Sequence, residues 1–461
     1  MARSVRRAGR AAAALLLAAV LAGCGAEDRG TLSILVPWTS DEEFGHFAEI
    51  IKGFQRSGEG RGVRVLPNRT RATRQVLEAS IHNRRPPNLA IVPSPGVLRD
   101  YAGEGLVRPL DGLGGGGGLA REVGRRYGAA WLGFERAGTA ELYGIAVKAN
   151  VKSLVWYNGA ALGAAAPGWK PPGTWRDLLA LQDRIVGARG TPWCMAMSDP
   201  PNSGWPGTDW IEDILLHQAG PEEYARFARG TLPWRSERVR GAWRAWGEIV
   251  GGAGHIRGGR LGAMLTAYGR RDDPMFAAAP GCHLGHGATI STSRPGAGGG
   301  GFFPFPAFSS PPPAGGPAAG GAPSVVSADL MAMFRDSPQA RAFIRYLVGA
   351  EAQGMWPAAA KGVAFSPHLS VLDDQIRRGG GDAAARIARL LVSGAPLCFD
   401  ASDWMPDAMA NAFYRATLEY LDSPTSARLE EILRQLDTVR TEAKAPVPDD
   451  TACGTAPTQK G

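Results

Sequence analysis

The 461-residue sequence has room for two or three domain-sized units with an ample core. Its formal charge of +8 comes from 51 basic and 43 acidic residues, and setting aside four N-terminal arginines leaves 47 against 43. The basic residues are scattered along the chain, which argues against nucleic acid as a partner. The chain opens on Arg3, Arg6, Arg7 and Arg10, followed by a charge-free apolar run from Ala11 to Gly23. That run is too short for a permanent membrane-spanning helix and ends in small residues, the pattern of a secretory signal over residues 1–23. No later stretch approaches the ~20 apolar residues of a spanning helix, so the remainder is expected to be soluble.

The junction Leu21-Ala22-Gly23-Cys24 resembles the lipobox of bacterial lipoproteins. There the leader is cut before the cysteine, whose sulfur carries diacylglycerol with palmitate-type chains. Each buried methylene adds roughly 0.8 kcal/mol of membrane affinity. The resemblance implies lipidation at Cys24, a tether over residues 24–30 and a place on the extracellular face of the cell membrane. An ordinary signal peptide with an incidental cysteine is the alternative. Four further cysteines in an oxidising compartment suggest two disulfides, with three possible pairings. Cys194 with Cys282 and Cys398 with Cys453 are favoured, because each pair falls within one plausible unit; four buried thiols remain the alternative.

Beyond the tether, Thr31 to Pro37 reads as a buried strand, with Trp38 and Thr39 just past its end. The capping box Ser40-Asp41-Glu42-Glu43 announces a helix whose apolar face runs Phe44, Phe47, Ile50/Ile51 and Phe54. Val63–Leu66 and Leu89–Val92 read as strands, with a helix between them over residues 74–81. Strand–helix alternation implies an α/β unit with a largely parallel sheet, whose ligands bind beyond the carboxyl ends of the strands. Gly112–Gly118 and the Gly/Pro-rich Pro295–Pro323 read as loops, the second interrupted by Phe302-Phe303-Pro304-Phe305. From Trp175 the pattern is helical. Asp209 can cap a helix with Ile211, Ile214 and Leu215 that stops at Gly220-Pro221, and Ser337-Pro338 starts another. Two more helices are expected between Met405 and Leu436, parted near Ser423-Pro424.

Four blocks, in order, are similar to the extracellular solute-binding proteins of carbohydrate ABC importers, the group that includes maltose-binding protein. They are Leu35–Glu43; Pro87–Gly96 with Leu106–Leu110; Tyr143–Asn158, followed by Gly173-Thr-Trp175 and Gly204–Trp210; and Ala328–Ala340 through Phe365-Ser-Pro367 to Phe399–Asp403. One departure is Asn88, where the family commonly has Asp; a turn accepts either. The resemblance implies an α/β, two-lobed periplasmic-binding-protein-like fold of type II with the ligand between the lobes. It places the first crossing around Val147–Val151, a return near His286 and a last one near Val325. The N-terminal lobe would then hold 31–148 plus 286–324, and the C-terminal lobe 149–285 plus 325–461. It further implies a monomer without cofactor, which captures a carbohydrate by lobe closure and hands it to an ABC permease.

Sugars present apolar C–H faces and a girdle of hydroxyls, so their sites need flat rings and hydrogen-bonding side chains. The candidates are Trp38, Glu42, Glu43, Trp156, Tyr157, Trp205, Asp209, Trp210 and Phe303, each set against a core or capping role. Trp175, Trp243 and Trp246 read as helix packing, and Asp400 and Asp403 as turn residues. The run Cys282-His283-Leu284-Gly285-His286 contains zinc-type ligands but lacks a complementary pair, and an oxidised Cys282 offers no thiolate. A glycoside hydrolase is the enzymatic alternative. It needs two carboxyls roughly 5 to 9.5 Å apart, a role imaginable for Asp209 and Glu212, although capping explains them more simply. A receptor that presents its sugar to a sensory kinase is a second alternative.

Overall fold

A computed structural model describes residues 30–114, 118–288, 300–308, 321–360, 364–443 and 452–458. The leader, Cys24 and most of the Gly/Pro-rich stretch lie outside the described residues. Strand β1 (Thr31–Val36) buries Leu32, Ile34 and Val36, and runs parallel to β2 (Arg64–Arg69) and β3 (Leu89–Val92). The helix between the first two strands, Asp41–Arg56, is capped by Ser40, whose side chain accepts from the Glu43 N–H. Its apolar spacing places Phe47, Ile50 and Phe54 in the core, as the sequence led us to expect.

The first sheet is completed by β4 (Gly144–Val151), β8 (Ser324–Met333), β9 (Pro396–Phe399) and β10 (Cys453–Thr455), in the order β10-β9-β8-β3-β1-β2 with β4 also on β8. A second sheet holds β6 (Leu284–His286), β5 (Leu154–Asn158) and β7 (Gly300–Pro304). The lobe boundaries expected from the sequence are corrected by this pairing. Val155 of β5 faces His286 on one side and Phe303 on the other, so Leu284–His286 and Gly300–Pro304 belong with the second sheet. The chain returns at β8, and residues 324–399 contribute to the first sheet. The Phe-rich segment was read as loop because its surroundings are Gly and Pro; paired on β5 it is an edge strand, where such residues are tolerated.

Past β9 the chain crosses again. Helices Asp407–Asp422 and Ser426–Glu442 pack with the helices Trp205–Ala219 and Glu237–Val250 of the second lobe. The backbone N–H of Trp234 donates to Asp437 there. β10 then pairs with β9 in the first sheet. Cys398 and Cys453 are register partners in that pairing and form a disulfide. Closing 55 residues of separation stabilises the fold by about 4 kcal/mol in the chain-entropy picture. Cys194 and Cys282 form the second disulfide, next to β6.

The core of the second lobe is tryptophan-rich: Trp193, Trp234, Trp243 and Trp246 are fully buried. Among the described residues no helix is long and apolar enough to cross a membrane.

Candidate functional site

The helix Trp205–Ala219 begins four residues before the cap expected at Asp209. Gly204 supplies the turn with φ 103°, and its bare α-carbon lies so close to the Tyr414 carbonyl that a Cβ would come within 2.2 Å of the oxygen. Pro206 fits the first turn. Asp209 is therefore inside the helix rather than at its cap. With Glu212 and Asp213, at spacings of three and four, it forms one buried acidic face.

That face fastens the crossings of the chain. Lys152, in the two-residue link between β4 and β5, donates to Asp209 Oδ1 at 2.9 Å and also pairs with Asp400, at the end of β9. Ser153 Oγ donates to Asp213 and accepts from the Val325 N–H at 2.7 Å, tying the second crossing to the first. Glu212 accepts from the N–H groups of Ala401 (2.7 Å) and Ser402 (3.1 Å), and from the Tyr224 hydroxyl at 3.1 Å. Asp213 also meets His286 Nε2 at 2.6 Å.

Burial alone would lower the Lys152 pKa, but Asp209 and Asp400 hold it well above the usual lysine value. The balance differs for its two partners. Burial raises Asp400, yet Lys152 and the Ser402 hydroxyl prevail and its pKa ends below the ordinary value. Asp209 is pushed up to about 8 by burial, against the pull of Lys152, with Asp400 repelling it. One lysine compensates one carboxylate fully; the second carboxylate remains proton-hungry.

The open side of this cluster is aromatic. The half-buried Trp205 ring lies 5.0 Å from Lys152 Nζ and 4.3 Å from the Tyr268 ring, and its Nε1 donates to Asp199 at 2.9 Å. Four residues before Lys152, Lys148 forms the matching group on the first lobe. It pairs with Asp329 at 3.2 Å and Glu43 at 3.9 Å, and sits 5.6 Å from the Trp38 ring and 4.9 Å from that of Trp356. Lys148 lies in β4 and Lys152 in the link just past its end, four residues or at most about 14 Å of chain further on. The rims of the lobes touch where Arg74 pairs with Asp407 and Arg386 donates to the Phe302 carbonyl at 3.0 Å.

Of the residues selected from the sequence, Glu43 joins the first group, and Trp205 and Asp209 the second; Trp38, 2% exposed and packed on Phe47 and Trp356, lies behind Lys148 as a core ring. Glu42 is exposed on the first turn of its helix. Trp156 and Trp210, each 3 % exposed, are core residues of the second lobe. The Trp156 indole donates to the Gly287 carbonyl at 2.7 Å, and Trp210 packs against Trp193 and His286. Phe303 is buried and stacked on Tyr157, which also packs on Trp169, away from both groups. The readings of Trp156, Trp210 and Phe303 as exposed rings are corrected: Trp156 and Phe303 pack within the second sheet and Trp210 on the buried face of its helix, while Tyr157 is half-buried. Lys148, Lys152, Asp329, Trp356, Tyr268 and Asp199 went unselected. One signal was available, since the chain has only seven lysines and two lie at i and i+4 in the crossing segment. Cys282 is committed to its disulfide.

The profile of bacterial extracellular solute-binding proteins matches residues 39–247. The osmoprotective compounds-binding protein GgtB of Synechocystis sp. is 31% identical over 406 residues, covering 86% of this chain and 90% of that one. The alpha-glucosides-binding periplasmic protein AglE of Rhizobium meliloti is 29% identical over 420 residues, covering 86% and 84%. The chain belongs to the bacterial extracellular solute-binding proteins.

Solved structures share the fold. A chitin oligosaccharide binding protein superposes with a TM-score of 0.67 at 16% identity, over 90% of this chain and 99% of that one. The GacH receptor of Streptomyces glaucescens, solved unliganded and with acarbose, gives 0.66 at 15% identity, over 90% and 99%. The two-lobed architecture expected from the sequence is thus the one observed.

Proposed function

We propose that this chain is the lipid-anchored capture subunit of a carbohydrate ABC importer, binding a neutral polyhydroxylated solute of the glucoside class between its lobes. The observation that carries the reading is the pair of aromatic and charged groups, one on each lobe, built around Lys148 on β4 and Lys152 in the crossing that follows it. Trp205 and Tyr268 offer ring surface to sugar C–H faces. Asp199, Glu43 and Asp329 offer acceptors to hydroxyls, the first held by the Trp205 indole and the other two by Lys148, while buried Asp209 holds Lys152 in place beneath the Trp205 ring. Trp38 and Trp356 back Lys148 as a cation–π wall. A solute touching both groups binds the closed form better than the open one and so drives closure.

In this reading the first lobe holds 31–151 with 324–399 and 452–458, and the second holds 154–304 with 407–442. Cys24 carries the acyl anchor on the extracellular face, and a monomer delivers the solute to the permease without turning it over. Support comes from the solutes in the names of GgtB and AglE, from acarbose in the GacH structure, and from Glu212, whose acceptors are filled by three donors rather than aimed at a substrate. A thermal-shift screen of mono- and oligosaccharides, with product analysis, tests it. Ligand-dependent stabilisation without turnover is the expected result; turnover, or binding unchanged in Trp205→Ala, would overturn it.

A further inference from the structure

A groove of about 540 Å³ lies on the first lobe, away from both aromatic groups. Ser33 and Leu35 of β1 and Leu66 and Asn68 of β2 line one part of it, and Arg84, Arg85 and Arg335 line another. No acidic residue lines it. Arg335 is steadied by donation to Asn88 Oδ1 at 3.2 Å. The side chains of Arg84 and Arg85 have no partner among the described residues, whereas Arg74, Arg240 and Arg428, on other surfaces, are all ion-paired.

Arg84 is also held in an unusual backbone state. It ends the helix Thr73–His82 with φ 57°, while the Arg85 N–H closes back on the Ser80 carbonyl at 2.9 Å. Glycine is the usual residue at such a helix end, so an arginine there carries strain of the kind found at functional positions. Leu66, 43% exposed, adds an apolar contact beside the charges.

The floor of the groove is the strand that leads out of the tether. Gly30 abuts the start of β1, its carbonyl accepting from the Arg64 N–H at 2.6 Å, and Ser33 follows about 10 Å further on. Cys24 lies six residues before Gly30, at most about 20 Å of extended chain. We propose that this arginine groove binds the phosphate of anionic phospholipid headgroups, seating the first lobe on the membrane that the tether reaches. The inference rests on the proposed anchor at Cys24. Arginine suits the task because its planar fork matches phosphate oxygens two at a time. Leu66 would meet the boundary between headgroups and acyl chains.

The test uses the mature chain with Cys24→Ala, so that no acyl group contributes, sedimented with vesicles of phosphatidylcholine alone or mixed with phosphatidylglycerol. Binding is expected only to the mixed vesicles. It should fall more than about tenfold in Arg84→Gln/Arg85→Gln/Arg335→Gln, and by less than about twofold in Arg235→Gln/Arg238→Gln/Arg434→Gln, which removes equal charge from the second lobe. Equal loss in both variants, or no preference for the mixed vesicles, overturns the proposal. Inorganic phosphate stabilising the parent chain but not the groove variant, without vesicle binding, also overturns it and assigns the groove to a free anion. Unchanged melting temperatures for all three proteins show that they are folded. Acylation of Cys24 is read separately from the mass of the exported protein, so failure of the anchor and failure of the groove give different results.

Discussion

Lys148 and Lys152 lie four residues apart in one extended segment, each between two carboxylates and beside a tryptophan, yet their surroundings differ. Lys152 is 8% exposed and its partners Asp209 and Asp400 are 3% and 1% exposed, so removing the cation strands two buried carboxyls. The Lys148 and Asp329 side chains are each 15% exposed, so the difference lies in the second partner: Glu43 is 37% exposed, whereas both partners of Lys152 are buried. The same ion-pair motif therefore does two jobs. Around Lys152 it locks the crossings together; around Lys148 the part-exposed Glu43 leaves one arm of the pair that a solute is proposed to rearrange. Coulomb energy is similar in form at both places, and solvent access decides which outcome follows.

The comparison breaks most readily at Lys152. Lys152→Met should lower the unfolding free energy by about 3–5 kcal/mol, read from urea denaturation, because the buried Asp400 carboxylate loses its counter-charge and Asp209 its donor. A loss no larger than that of Lys148→Met would show that the two lysines are equivalent. Trp205→Ala comes next. It should weaken solute binding at least tenfold in Kd, about 1.4 kcal/mol, by calorimetry, while costing less stability than Lys152→Met because the ring is half-exposed.

The pH profile sharpens the comparison further. Asp209 holds its proton up to about pH 8 when folded and to about 3.9 when unfolded. Its contribution to stability is full below about pH 4 and is lost as pH rises through about 8. Asp209→Asn should flatten that decline; an unchanged slope would mean that Asp209 is ionised beside Lys152. A smaller effect belongs to Lys148→Met, about 1–2 kcal/mol, since Asp329 is part-buried but water reaches Glu43 and can replace the cation there. Its consequence should appear in solute affinity as well.

Residues 31–92 were legible because strand and helix periods alternate cleanly there: Leu32, Ile34 and Val36 on one side of β1, Phe47, Ile50 and Phe54 on one helix face. The crossings were less so. Glycine and proline around Phe302–Phe305 hide a strand that exists only because β5 offers it a partner, a long-range fact no local window contains. Asp209 resembled a cap because an acid near the front of an apolar run usually is one, and Gly204 moved the helix start. The search for rings and acids found half of each cleft group and passed over both lysines, since a lysine gains its meaning from what is folded against it. Trp156 and Trp210 were selected on ring chemistry that core and cleft share.

Of the three described crossings, the first and third end on the helix Trp205–Ala219 through Asp209, Glu212 and Asp213, and the second reaches it through Ser153. An axle shared by three straps leaves the lobes one way to swing, rather than several independent ones. A substitution on that axle, remote from any solute, would then change how often the clamshell opens and leave unaltered what it grips. Exchange rate and selectivity are thereby open to separate adjustment during evolution.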